Sequence, residues 1–207
     1  VLTGSEPFSS HLRLSNLKLW RYDWIWNKVQ GANFFNLKNR PFKTQEQVMV
    51  FSKTADFTFN PIRVSRSELS LKRHPVGSKG SIGEFNGRTV SHYGAKMKNS
   101  RPEYNTDGKK HPVDIIEISR SEKKFKEIKH PTKKPVALFE YLIKTYTNEG
   151  DIVLDNCAGS GTTALACLHL KRDFVVMEKE PEYVEIIESR IQDFHDQEAE
   201  RKKQPSL

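Results

Sequence analysis

Asp155 and Glu178 stand 23 residues apart, and each closes a short apolar run. Ile152-Val153-Leu154 precedes the first, and Phe174-Val175-Val176-Met177 precedes the second. Between them lies a turn of small residues, Asn156-Cys157-Ala158-Gly159-Ser160-Gly161. A stretch from Thr162 follows, with Ala164, Leu165, Cys167 and Leu168 as its apolar positions. Ionised carboxylates only accept hydrogen bonds, so this pair suits a ligand that offers hydroxyls or amines. An acid at the end of the second run matches a ribose diol, two hydroxyls to one carboxylate. Glycines let the backbone approach a ligand closely, and the start of a helix offers unpaired N–H groups at the positive end of its dipole. A glycine-rich turn alone occurs in many units that bind nothing. The turn together with two strand-end acids favours a nucleotide-like ligand.

The elements that position these residues read as strand, turn, helix and strand, a βαβ unit. The turn is Gly-Ser-Gly preceded by Cys-Ala, not the G-x-G-x-x-G of dinucleotide enzymes, and no Gly-Lys-Ser/Thr follows to grip phosphates. Asp155 directly before the turn repels a pyrophosphate and welcomes a cationic or amino-bearing group. S-adenosylmethionine, with its sulfonium and α-amino group, fits that charge better than NAD. Asp155, Cys157, Ala158, Gly159, Ser160, Gly161, Thr162 and Glu178 are the cofactor-binding candidates. Other chemistries find no support. The two cysteines are ten residues apart and form neither a metal pattern nor a disulfide framework. The seven histidines show no metal spacing, and Ser160 does not sit in the G-x-S-x-G of a hydrolase.

Around this unit the chain divides by composition. Near the start, Thr3-Gly4-Ser5 reads as the tail of a strand, with Ser9-Ser10 capping a helix from His11 to Leu19. Trp20 to Trp26 alternates aromatics and predicts a strand that Lys28 closes. Val29 to Arg40 then reads as a loop, and Gln45 to Lys53 as another strand. Residues 55–127 are rich in glycine and proline without a sustained period, apart from a patch at Ile115-Ile116. After Pro135, Val136, Phe139, Leu142, Ile143 and Tyr146 fall on one helical face. Pro181 opens a last helix with Tyr183, Val184, Ile187, Ile191 and Phe194 as its stripe, and the polar tail beyond His195 is expected to fray. The formal net charge of +8 is uneven: residues 63–127 hold 15 Lys and Arg against 8 Asp and Glu, whereas residues 128–207 hold 11 against 14. A basic excess in the middle points to a polyanion such as nucleic acid. No apolar run approaches a membrane span, and with no signal peptide visible the expected setting is cytoplasmic.

The motifs His130-Pro131-Thr132, Lys134-Pro135, Asp155, Gly159-Ser160-Gly161-Thr162-Thr163, Glu178 and Tyr183 together resemble the C-terminal half of a β-class DNA amino-methyltransferase. Thr3-Gly4-Ser5, Trp26-Asn27-Lys28, Arg40-Pro41 and Glu46 resemble a further block of that family. The departure is at Asn156-Cys157, where Pro-Phe is commoner. The resemblance implies an α/β, Rossmann-like fold of the S-adenosylmethionine-dependent methyltransferases and a site-specific enzyme acting on a base amine in double-stranded DNA. Adenine N6 is the expected target, with cytosine N4 the alternative. It adds His130, Thr132, Lys134, Pro135, Thr3, Gly4 and Ser5 to the cofactor site. With the basic middle, it gives Lys28, Arg40, Lys72, Arg73, Arg88, Lys96 and Lys98 as DNA contacts. The expected domains are catalytic-domain strands at 1–54, target recognition at 55–127, cofactor binding at 128–195 and a tail at 196–207. A bacterial or phage source and a restriction endonuclease partner are also implied.

The family's D/S-P-P-Y/W motif, which positions the amine, has no counterpart, because no Pro-Pro pair occurs in the 207 residues. The chain starts at Val1 inside an apolar segment. The expectation is therefore a preceding segment, on a longer chain or a separate subunit, that carries the motif and a central strand. Without it the sheet is incomplete, with a gap between the strand ending at Asp155 and the strand at Thr3. The competing class is a non-catalytic DNA-binding subunit.

Overall fold

A computed structural model describes residues 1–32, 35, 37–73, 75–76, 107–120 and 133–203. Residues 61–112 form one compact unit, and residues 1–60 with 113–207 form another. In the smaller unit β4 (Val64–Ser65) pairs with β5 (Lys109–Lys110), α2 spans Glu68–Arg73, and Arg63 meets Asp107 at 3.0 Å.

The larger unit opens with β1 (Leu2–Gly4), α1 (Phe8–Ser15), β2 (Trp20–Ala32) and β3 (Lys43–Phe51), and continues with β6 (Ile115–Glu117). Among the described residues these strands make one sheet in the order β1-β3-β2-β6. β2 is antiparallel to β3 and parallel to β6. The alternation of Trp20, Tyr22, Trp24 and Trp26 builds β2, since every second residue faces one side. Trp24 and Trp26 are buried on that side with Val48 and Val50 of β3 and Ile116 of β6.

Several boundaries differ from the sequence expectation: α1 ends at Ser15 rather than Leu19, and β3 spans Lys43–Phe51 rather than Gln45 to Lys53. β2 does not close at Lys28. The register shifts between Asn27 and Ala32, where Ala32 pairs with Lys43, and Val29 takes a positive φ of 65°. A bulge of this kind lets a strand resume after residues that read as loop. α1 starts at Phe8, ahead of the expected Ser9-Ser10 cap, and Ser9 is buried. The acceptor there is Glu6, which takes hydrogen bonds from the Ser10 amide and hydroxyl. The hydrogen bonds from Ser10 and Arg13 hold its carboxyl down to about 2.

The second half contains α3 (Val136–Tyr146), β7 (Ile152–Asp155), α4 (Thr162–Leu170), β8 (Asp173–Val176) and α5 (Pro181–Lys203). β7 and β8 are parallel neighbours, with Leu154 opposite Val175 and Asp155 opposite Val176. Among the described residues the four-stranded sheet and the β7–β8 pair share no ladder, so the gap expected next to Asp155 and Thr3 is a break in the pairing. Val153 and Phe174 turn toward α4, and the alternate residues Ile152, Leu154 and Val175 are exposed. α5 runs on to Lys203, so the polar stretch expected to fray is helical at least that far.

α3 presents two apolar faces rather than one. Leu138 and Leu142 pack on Trp24, Trp26, Val48 and Val50, while Val136 and Ile143 pack on Leu165, Ala166 and Cys167 of α4. A helix between two layers needs apolar residues on both sides, and the single stripe read from sequence left out Leu138, which is fully buried. At its C-terminal end the Tyr146 hydroxyl accepts from Trp24 Nε1 and shares a hydrogen bond with the Tyr22 hydroxyl at 3.0 Å. No helix among the described residues is long and apolar enough to cross a membrane. Leu138→Ala should destabilise the chain by about 2–5 kcal/mol, the cost of a large-to-small change in a core. Urea unfolding followed by circular dichroism measures it, and a shift under about 1 kcal/mol would show that α3 can collapse into the space.

Candidate functional site

The turn between β7 and α4 is built from its own polar groups. Asp155 ends β7 with one carboxylate oxygen accepting the Cys157 amide at 3.0 Å and the other accepting the Thr163 hydroxyl. Both ends of the turn are thus tied to one side chain. Glu178 lies just past β8. Its Oε2 accepts the Gly159 amide at 2.7 Å, and its Oε1 accepts the amides of Lys179 and Glu180 at 2.9 and 3.1 Å. The Ala158 amide donates to the Met177 carbonyl at 3.0 Å, which joins the turn to the adjacent strand end.

The glycines here have steric reasons. Gly159 and Gly161 have φ of 54° and 77°, in the left-handed region. A Cβ on Gly161 would also stand 2.9 Å from Ile187 Cγ1, so α5 packs directly on the turn. Arg190, one turn further along α5, is buried and donates to the Ser160 carbonyl. Sequence reading missed Arg190. The available signal was a charge inside the stripe of Tyr183, Ile187, Ile191 and Phe194, three residues after Ile187 and four before Phe194.

The structure brings Asp155, Cys157, Ala158, Gly159, Ser160, Gly161, Thr162 and Glu178 together at one end of the parallel pair. Cys157 is exposed, and Ser160 and Thr162 are buried. Lys134 reaches this group through its backbone, its carbonyl accepting the Thr162 hydroxyl at 3.2 Å. Pro135 is fully buried at the start of α3. Thr3 and Gly4 sit in the other sheet, opposite Val48 and Gln47, and Ser5 follows them. His130 and Thr132 lie outside the described residues.

Of the expected DNA contacts, Arg40 is exposed and lines a cleft of about 520 Å³ with Phe42, Lys43 and Gln45. Lys72 and Arg73 are exposed at the end of α2. Arg88, Lys96 and Lys98 lie outside the described residues. Lys28 is placed differently from the expectation. It shares the inward face of β2 with Trp24 and Trp26, and its ammonium lies 2.8 Å from Glu46 Oε2 and 5.2 Å from the Trp26 ring centre. Burial raises the Glu46 pKa, but the Lys28 hydrogen bond and the charges of Lys134 and Lys28 outweigh it, leaving the carboxyl below its ordinary value. Among the described residues no cluster of three or more His, Cys, Asp or Glu could hold a metal.

A parallel strand pair with acids at both carboxyl ends, separated by a glycine turn into a helix, is the arrangement in which α/β folds commonly bind nucleotide-type ligands. The chain belongs to the DNA methylase family, whose sequence profile matches residues 9–189. Among curated relatives it is 30% identical over 164 residues to the type II methyltransferase M1.MboII of Moraxella bovis, covering 78% of this chain and 59% of that one. It is 47% identical over 62 residues to the type II methyltransferase M.HpaI of Haemophilus parainfluenzae, 30% of this chain and 20% of the relative. The chain therefore spans only part of the length of the relatives it matches. The crystal structure of the M1.HpyAVI–SAM complex superposes with a TM-score of 0.57 at 26% identity, covering 91% of this chain and 72% of that one. The cytosine-N4-specific PvuII DNA methyltransferase shares the fold, with a TM-score of 0.53 at 22% identity.

Gly161→Ala should cost about 1–3 kcal/mol, from a positive φ without glycine and the approach to Ile187. Thermal and urea unfolding of the variant check this; unchanged stability would mean that the turn relaxes at no cost.

Proposed function

We propose that this chain forms the cofactor-binding and DNA-contacting part of a site-specific DNA methyltransferase. The observation that carries the reading is the pair of carboxylates, Asp155 and Glu178, at adjacent parallel strand ends on either side of a turn without Cβ atoms at Gly159 and Gly161. S-adenosylmethionine fits this set of acceptors. Glu178 accepts from the ribose hydroxyls, and the negative end of β7 at Asp155 favours the amino and sulfonium charges. The cofactor supplies a methyl on a positively charged sulfur, an electrophile that an exocyclic base amine attacks directly. Catalysis then consists mostly of holding the amine in line with that methyl.

Family membership and the type II relatives support the DNA substrate. Adenine N6 is our reading of the target base, because the C-terminal motifs resemble adenine-type members; mass spectrometry of methylated nucleosides separates N6-methyladenine from N4-methylcytosine. Arg40, Lys72, Arg73, Arg88, Lys96 and Lys98 are proposed as phosphate contacts. The His130 to Pro135 segment and Thr3, Gly4 and Ser5 are proposed to complete the cofactor site. The domain division at 54, 127 and 195 belongs to the same reading, as does a restriction endonuclease partner that reads the same DNA sequence.

Glu178→Ala should weaken S-adenosylmethionine binding by about 1.5–3 kcal/mol, the range for hydrogen bonds to a charged group. Calorimetric titration of a folded variant is the check, and unchanged affinity would remove Glu178 from the site.

The amine-positioning Pro-Pro motif occurs nowhere in the 207 residues. We therefore read these residues alone as unable to transfer the methyl and as completed by a segment, on the same chain or another, that carries that motif. The edge of β1, unpaired among the described residues, and the exposed Ile152, Leu154 and Val175 support a strand-bearing segment there. The 207 residues should give no tritiated methyl transfer to mixed-sequence DNA, and a protein that includes such a segment should. Comparable turnover by both would sink this part of the reading.

A further inference from the structure

Glu46 sits where the alternation of β3 calls for an apolar residue. Val48 and Val50 share its face and are buried, and Glu46 is opposite Trp26 in the register. Two ammonium groups converge on it, Lys28 at 2.8 Å on one oxygen and Lys134 at 3.4 Å on the other. The three side chains are 11%, 13% and 24% exposed for Lys28, Glu46 and Lys134. Charges this enclosed are costly unless each has a partner. Here one carboxylate serves two cations, and only one of them belongs to the sheet.

Lys134 stands just before α3, and its two ends point to different parts of the protein. Its ammonium is held by β3, and its carbonyl accepts the hydroxyl of Thr162, the first residue of α4 and the one that follows Gly161. Among the described residues the β7–β8 pair and the four-stranded sheet exchange no ladder hydrogen bonds. A polar path therefore runs from β3 through residue 134 to the exit of the turn, at the opposite end of α3 from the contacts of Tyr146 with β2.

We propose that Lys134 is a positioning residue for the turn, with Glu46 anchoring its ammonium to the four-stranded sheet and its carbonyl fixing the start of α4. Its side chain faces the sheet, so its effect on a ligand is indirect. This rests on the reading of Gly159–Gly161 as the cofactor turn. Lys28 is the second cation of the anchor, which explains why a lysine on the face of Trp24 and Trp26 is tolerated.

The test is hydrogen–deuterium exchange on the 207-residue chain without ligand, paired with calorimetric titration of S-adenosylhomocysteine. Lys134→Met leaves the Lys28–Glu46 pair intact, so it removes the link without leaving that carboxylate unpaired. It should speed exchange in the peptide spanning 157–165 by about tenfold, the size expected for one charge-assisted hydrogen bond. Exchange in β2 and β3 should be unchanged, and Lys134→Arg should restore the slow rate. Glu46→Gln should loosen the same peptide. S-adenosylhomocysteine affinity should fall about fivefold or more in Lys134→Met. The double variant Lys134→Met/Thr162→Val should bind no more weakly than the worse single variant, because both changes cut one path.

Unchanged exchange in the turn, or a uniform rise over the whole chain, would overturn the proposal. Equal ligand affinity in the wild type and Lys134→Met would do so as well. If the wild type binds no S-adenosylhomocysteine while the local exchange responds as expected, the link stands and the cofactor reading fails.

Discussion

The structure depends on α3 being apolar on two sides. Among the described residues the four-stranded sheet and the β7–β8 pair have no hydrogen bond ladder between them, and α3 lies against both. Burying a leucine-sized side chain is worth roughly 1.5–3 kcal/mol, so Leu138 and Leu142 on one side and Val136 and Ile143 on the other hold the two halves by area alone. Directional contacts add register. Tyr146 meets Tyr22 and Trp24 at one end, and the Lys134 link lies at the other. Asn60 donates to the carbonyls of Lys144 and Thr147, satisfying the end of the helix from a loop that follows β3.

The turn that α3 helps to place is held by its own hydrogen bonds. Asp155 and Glu178 spend hydrogen bonds on Cys157, Thr163, Gly159, Lys179 and Glu180. A carboxylate oxygen has two lone pairs, so the same groups that stiffen the turn can also receive a ligand's hydroxyls. Arg190 and Ile187 press on the turn from α5, which explains why a long, mostly charged helix has buried residues only in its first half.

Charge plays two roles that composition does not separate. Lys28 counts toward the basic excess but faces inward onto Glu46 and Trp26, where a bulge near Val29 follows it. Arg40, Lys72 and Arg73 are exposed, and these are cations a polyanion can reach.

The sequence by itself determined the local elements and the chemistry of the turn. The strand end at Asp155, a helix from Thr162 and one from Pro181 follow from short-range pattern, and glycine at positive φ follows from sterics; the second strand, read to Glu178, stops at Val176. The alternating aromatics of β2 were equally legible, because a strand's facing depends on neighbours two residues away. Where a pattern depended on distant partners, it was not legible. The second face of α3 at Leu138, the pairing of Ala32 with Lys43 beyond the bulge, and the Arg190 contact to Ser160 require residues from 11 to 114 positions away to be in place. The inward turn of Lys28 is the sharpest case. A lysine is expected at the surface because desolvation is costly, and only the tertiary structure, by bringing Glu46 and Trp26 to the same side of the sheet, offsets that cost.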